Sequence, residues 1–158
     1  MSKQILMNAM DTKRMLAMLY SDLKVEESGV SVENDANALY GTYIDDNDVP
    51  VSLCVIDRDF AAYLGSALTL VPADTAKASA ASGDYSETVM GNIREVLNIL
   101  SRIYMEGSSP HLRFAEVRRN AGELTPDEQS VLQNIAARLD MRMEIPGYGA
   151  GCCSLITL

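Results

Sequence analysis

The chain has 158 residues, 47% of them hydrophobic and 22% charged, with a formal net charge of -9 at pH 7. That composition suits one packed domain with a real core, expected to span residues 1–158, and not a chain that is disordered throughout. The acidic balance also excludes a binder of nucleic-acid backbone, which needs clustered Lys and Arg to displace counterions, and a basic pair such as Arg118–Arg119 is too small to reverse it.

No apolar run is long enough to cross a bilayer, and the N-terminal stretch MSKQILMNAMDTKR lacks the charged, apolar, small-residue order of a cleaved leader. Three cysteines, Cys54, Cys152 and Cys153, are an odd number, and an adjacent pair cannot build an ordinary disulfide framework. These features together lead us to expect a soluble, cytoplasmic protein, with Cys54 as buried packing. A single histidine, His111, beside Pro110 reads as a loop residue, and no Cys-x-x-Cys or His-x-x-x-His spacing offers a transition-metal site. GYGAGCC superficially has the look of a phosphate loop, but it runs into the strand-like SLITL and not into a helix whose N-terminus could hold a phosphate. No nucleotide fold is expected.

In chain order, Asp11 or Thr12 is a candidate cap for a first helix whose apolar stripe is Met15, Leu16, Met18, Leu19 and Leu23, fading at KVEESG. ALYGTYI, VPVSLCVID and YLGSALTLV follow as β-rich runs, the first two joined by a hairpin turn at DDND. Pro72 starts a short Ala-rich helix that ends at Gly83, and Asp84 with Glu87 forms a candidate capping box for a long helix stopped between Gly107 and Pro110. LRFAEVRR alternates as a half-buried strand. Thr125, Pro126 and Glu128 then open a helix expected to run to Leu139, and MRMEIP and CCSLITL close the chain as strands around a Gly-rich turn. The expected fold class is α+β, an antiparallel sheet with helices packed on it.

The long helix has a definite inside and outside. At 100° per residue, Val89, Ile93, Val96, Leu97, Leu100, Ile103 and Tyr104 fall within an arc of roughly 120° that must face the core. Gly91, Glu95, Asn98 and Arg102 fall opposite, neighbours three or four apart on one exposed ridge. A Glu-x-x-Asn pair alone is common in chains of this size and is compatible with plain solvated surface.

The order of elements around that pair narrows the reading. VSLCVID, then LGSALTLVPADTAKASAAS, then IREVLNIL, with MEIPGYGAGCCSLITL at the end, resembles the CheC/CheX family of chemotaxis phosphatases. In that family a long helix carries an exposed Glu-x-x-Asn, and one such helix is more similar to CheX than to CheC with its two. The resemblance implies a CheC-like fold and dephosphorylation of a phospho-aspartate on a CheY-type response-regulator receiver domain. It implies that Asn98 positions the attacking water and that Glu95 pairs with the receiver's active-site Lys. Gly91 and Arg102, on the same ridge, would contact the partner. The magnesium ion would belong to the receiver, so no cofactor or metal of this chain's own is expected, and a homodimer is implied as in other CheX-like proteins. Two features depart from the family pattern. Gly91 stands where Asp or Ser is usual, and the helix opened by Thr125 is an addition. A non-catalytic CheX-like module that binds a receiver or a sister subunit therefore remains the alternative, and an unrelated α+β interaction domain a third.

Overall fold

The computed structural model describes residues 8–102 and 111–158. Ile103, Tyr104 and the break from Gly107 to Pro110 lie outside the described residues. The described elements are α1 (Ala9–Leu16), β1 (Lys24–Glu27), β2 (Leu39–Ile44), β3 (Pro50–Ile56), α2 (Arg58–Leu68), α3 (Ala73–Ser82), α4 (Glu87–Leu100), β4 (Arg113–Arg118), α5 (Pro126–Gln133), β5 (Ala137–Ile145) and β6 (Gly149–Thr157). The strands form one antiparallel sheet in the order β1-β5-β6-β3-β2-β4. This is the expected α+β class.

Strand alternation sends successive side chains to opposite faces, so the central strands are apolar on both. Cys54 and Ile56 of β3, Leu39 and Tyr43 of β2, and Cys153 and Leu155 of β6 face one way, packing with Leu16 of α1, Phe60 and Leu64 of α2, and Ile93 and Leu97 of α4. Leu53 and Val55 of β3, Tyr40 of β2 and Ile156 of β6 face the other way, where Val131 of α5 and Leu124 cover them.

Close packing on the first face depends on missing side chains. A methyl group at Gly65 of α2 would lie 2.9 Å from the Val89 carbonyl and from side-chain carbons of Val89 and Ile93 on α4. One at Gly41 of β2 would lie 3.0 Å from Leu97 Cδ1. The two helices run parallel, since the Tyr85 hydroxyl donates to the carbonyl of Arg58 at the start of α2 (3.3 Å) and Asn92 reaches Thr69 at its end (2.9 Å).

The opposite face carries the most buried ion pairs. Glu128, 1% exposed, closes the capping box of α5 by accepting from the Thr125 N–H, and it also accepts from the Thr42 hydroxyl and from Arg118 Nε (3.1 Å). Arg138 grips Glu33 through two nitrogens (2.7 and 2.8 Å) and Asp140 (2.9 Å), and Asp140 accepts from Ser154 Oγ (2.6 Å). The Arg138 hydrogen bond holds the Glu33 carboxyl below its ordinary range. Burial raises the Asp140 carboxyl, but Arg138 and Ser154 outweigh it and leave that group lowered as well.

Several expectations are corrected. YLGSALTLV is not a strand: Tyr63 to Leu68 are the second half of α2, and the Asp57 side chain caps that helix by accepting from the Phe60 N–H (2.7 Å). The helix opened by Thr125 ends at Gln133 and not at Leu139, because Ala137–Ile145 pair with β6 along their whole length. KVEE is the edge strand β1 and not the fading end of a helix, and α1 stops at Leu16. The caps of α1 and α4 are Asn8 and Ser86, whose side chains accept from the N–H groups of Asp11 and Val89, so neither Asp11, Thr12 nor an Asp84–Glu87 box does this work.

Two tests follow from this packing. Gly65→Ala adds a methyl against backbone at the α2–α4 contact and should destabilise the protein by about 1–3 kcal/mol in urea unfolding, despite alanine's better helix propensity. The second concerns acid. Carboxyls lowered in the fold contribute stability above their unfolded pKa, near 4, and lose it as pH falls through the folded values. Arg138→Met should therefore open a stability gap to wild type that is full at neutral pH and narrows steadily below about pH 4, measured by urea unfolding across pH.

Candidate functional site

Helix α4 begins where the Ser86 hydroxyl satisfies one of its free N–H groups, and its spacing turns Val89, Ile93, Val96, Leu97 and Leu100 into the core. Gly91, Glu95, Asn98 and Arg102 are all exposed, on the side away from the sheet. Among the described residues the Glu95 and Asn98 side chains make no hydrogen bond or ion pair. The structure thus brings all four expected residues onto one open surface.

That surface is held in register from both flanks. On the α2 side, Asn92 Nδ2 donates to the Gly65 carbonyl (2.8 Å) and to Thr69 Oγ1 (2.9 Å). Towards β4, Arg94 Nε lies 3.6 Å from Glu116. Underneath, the buried Tyr43 hydroxyl donates to the Leu97 carbonyl (2.7 Å), and at the C-terminal end Ser101 Oγ donates to the Asn98 carbonyl (2.6 Å). Rolling α4 to bury Glu95 or Asn98 would break the first three contacts together. Asn92 and Tyr43 were not evident from sequence. The only available signal for Asn92 was a polar side chain at the border between the apolar arc and the ridge.

Gly91 has room. A methyl group built there meets nothing within 4 Å, so no intramolecular contact requires glycine at this position. Chemically the ridge offers a carboxylate, a carboxamide and a guanidinium on a fixed scaffold, which suits pairing with a partner's cation and orienting a water, but holds no nucleophile of its own.

Other polar groups are committed to structure. A cavity of about 500 Å³ is lined by Asn37, Arg58, Tyr85 and Arg119 among others, yet Arg58 Nε and Nη2 donate to the carbonyls of Ala80 and Ala81 at the end of α3. Burial pushes the Tyr85 phenol up to about 12. Cys54 and Cys153 are both fully buried with their sulfurs 3.6 Å apart, and Cys152 is half-buried; all three are free thiols. His111 is exposed, with Nδ1 3.3 Å from Asp46. Among the described residues no three His, Cys, Asp or Glu side chains gather as metal ligands, and no helix is long and apolar enough to cross a membrane.

Neither a protein-family model nor any curated protein matches the sequence. Solved structures do. FliM from H. pylori, in its complex with FliG, superposes with a TM-score of 0.57 at 10% identity over 94% of this chain and 85% of that one. FliY from Thermotoga maritima gives 0.54 at 12% over 91% and 80%. The chain has the CheC-like α+β fold that these proteins share. A weaker likeness, TM-score 0.43 at 11% identity over 91% of this chain and 90% of the other, is to CheX in its CheY–BeF3–Mg2+ complex from Borrelia burgdorferi, too distant for comparison helix by helix.

The ridge makes a prediction about stability. Gly91→Ala should stabilise by about 0.5–1 kcal/mol, because it restores helix propensity where nothing clashes. Asn92→Ala should cost about 1–2 kcal/mol through two lost hydrogen bonds. Urea unfolding of the two variants should therefore move in opposite directions.

Proposed function

We propose that the protein hydrolyses the phospho-aspartate of a CheY-type receiver domain, with the outer face of α4 as the working surface. The observation that carries this reading is the pair Glu95 and Asn98, exposed, unpaired among the described residues, and fixed outward by the contacts of Asn92, Arg94 and Tyr43.

The chemistry divides between two proteins. Glu95 supplies a carboxylate to pair with a lysine at the receiver's phosphorylation site, which seats the helix there. Asn98 then holds a water in line with the phosphorus through its carboxamide. Attack forms the new P–O bond, the bond from phosphorus to the aspartyl oxygen breaks, the receiver regains its carboxylate, and dihydrogen phosphate leaves with both protons of the water. Orientation of this kind lowers the barrier by several kcal/mol. The receiver's own Mg2+ neutralises charge on the phosphoryl oxygens, so this chain contributes position and no electrophile.

A second reading is a non-catalytic module that binds a receiver or a sister subunit. It is favoured by Gly91, which removes a polar group from the ridge, and by the likeness to a FliM that is held in a complex with FliG. The two readings part on turnover.

With acyl-phosphorylated receiver domains, wild type should accelerate phosphate release, and Asn98→Ala should lose about 100-fold or more while still binding. Glu95→Ala should weaken binding by roughly 30-fold or more, the cost of removing one partner of a desolvated charge pair. Gly91→Ser, which the open space accommodates, should increase turnover. Binding without turnover by wild type and by Gly91→Ser would establish the second reading.

A further inference from the structure

Helix α2 ends in an unusual way. Leu70 N–H donates to the Ala67 carbonyl (3.2 Å) and Val71 N–H to the Ser66 carbonyl (2.9 Å), and Leu70 itself is left-handed, with φ of 58°. Such a helix end normally takes glycine, because a Cβ crowds the backbone in that conformation. The other two non-glycine residues with positive φ among the described residues are Asp22 and Asp48, of a type that tolerates it. Leu70 is bulky and 82% exposed as well. Neither local geometry nor the core explains a leucine here.

Its position does. Leu70 follows Thr69, whose hydroxyl oxygen accepts from Asn92, and Asn92 follows Gly91 and precedes Glu95 by three residues. Because α2 and α4 run parallel, the turn that carries Leu70 stands level with the Gly91–Glu95 half of the ridge. The hydrogen bonds that fix the turn fix α4 too, so the apolar knob and the carboxylate are held on one rigid body.

We infer that Leu70 is the apolar anchor of the α4 docking surface, seated by the receiver in an apolar hollow beside the cation that pairs with Glu95. The inference rests on the proposed function, since it takes the same partner. A buried apolar anchor flanked by polar contacts is where interface energy concentrates, and a backbone already fixed by the turn lowers the entropy lost when the anchor is seated. Glu95 supplies charge complementarity on the same exposed surface.

The test measures binding of the full chain to beryllofluoride–Mg2+-loaded receiver domains by calorimetry, with unfolding followed in parallel. Leu70→Gly should raise stability, by relieving the left-handed leucine, and yet weaken receiver binding by about tenfold or more. Leu70→Met should keep binding within about threefold, because it keeps the apolar bulk. If Glu95→Ala weakens binding and Leu70→Gly does not, the anchor is overturned and the ridge reading stands. If wild type binds no receiver, or neither variant changes binding, both are overturned. A Leu70-dependent homodimer by sedimentation, with receiver binding unchanged, would assign the knob to a second copy and overturn the anchor too.

Discussion

The contact between α2 and α4 at Gly65 governs what the protein can present to a partner. With no side chain at that point, Val89 and Ile93 lie directly against the backbone of α2, and the two helices sit side by side on one face of the sheet. Any larger residue would lift α4 and free it to roll. Once seated, α4 has its apolar arc committed to the core and its polar residues have only solvent to face. Asn92 then converts a packing preference into a fixed register by tying α4 to two oxygens of α2.

The sheet divides its labour between faces. Ionic groups on the α5 face, Glu128 with Arg118 and Arg138 with Glu33 and Asp140, are mutually satisfied and shielded, which makes them structural. On the α4 face the acidic Glu95 stands unpaired among the described residues at the outer surface, although a chain of net charge -9 has ample acid to spend elsewhere. A carboxylate left unpaired on a rigid helix, next to a carboxamide, is available to a cation that arrives from outside. Strain is placed in the same neighbourhood, at Leu70, and nowhere else among the described residues does a bulky apolar side chain take a left-handed backbone.

Much of this could be read from residue order, for identifiable reasons. Helix α4 keeps its apolar period through about four turns, so its inside and outside are legible in the sequence. The β2–β3 hairpin was marked by a polar turn between two apolar runs, and the start of α5 by Thr125 and Glu128. The second half of α2 looks like a strand in sequence because a short apolar run fits strand and helix equally, and the deciding signal, Asp57 as the helix cap, lies six residues before Tyr63. The edge strand β1 was hidden by its own polarity: Lys24, Glu26 and Glu27 are exposed, and only pairing with β5 makes KVEE a strand. Helix α5 looks longer in sequence than it is because Ala136 to Leu139 have good helix propensity, which pairing with β6 overrides. At the site, the ridge residues were legible and their supports were not, since Tyr43 and Thr69 meet α4 only through the tertiary fold.

The CheC-like sheet carries an amphipathic α4 with Gly91, Glu95, Asn98 and Arg102 on its exposed side, and the proposed function requires that face to meet a receiver domain. The most direct measurement is an amide chemical-shift map of the isotope-labelled protein titrated with a beryllofluoride–Mg2+ receiver. The expected result is a cluster of perturbations over Gly91, Glu95, Asn98 and Arg102, including the Asn98 side-chain amide, with Pro126–Gln133 unmoved. Perturbations gathered on α5 or around Arg58 and Arg119, with the α4 ridge unchanged, would contradict it.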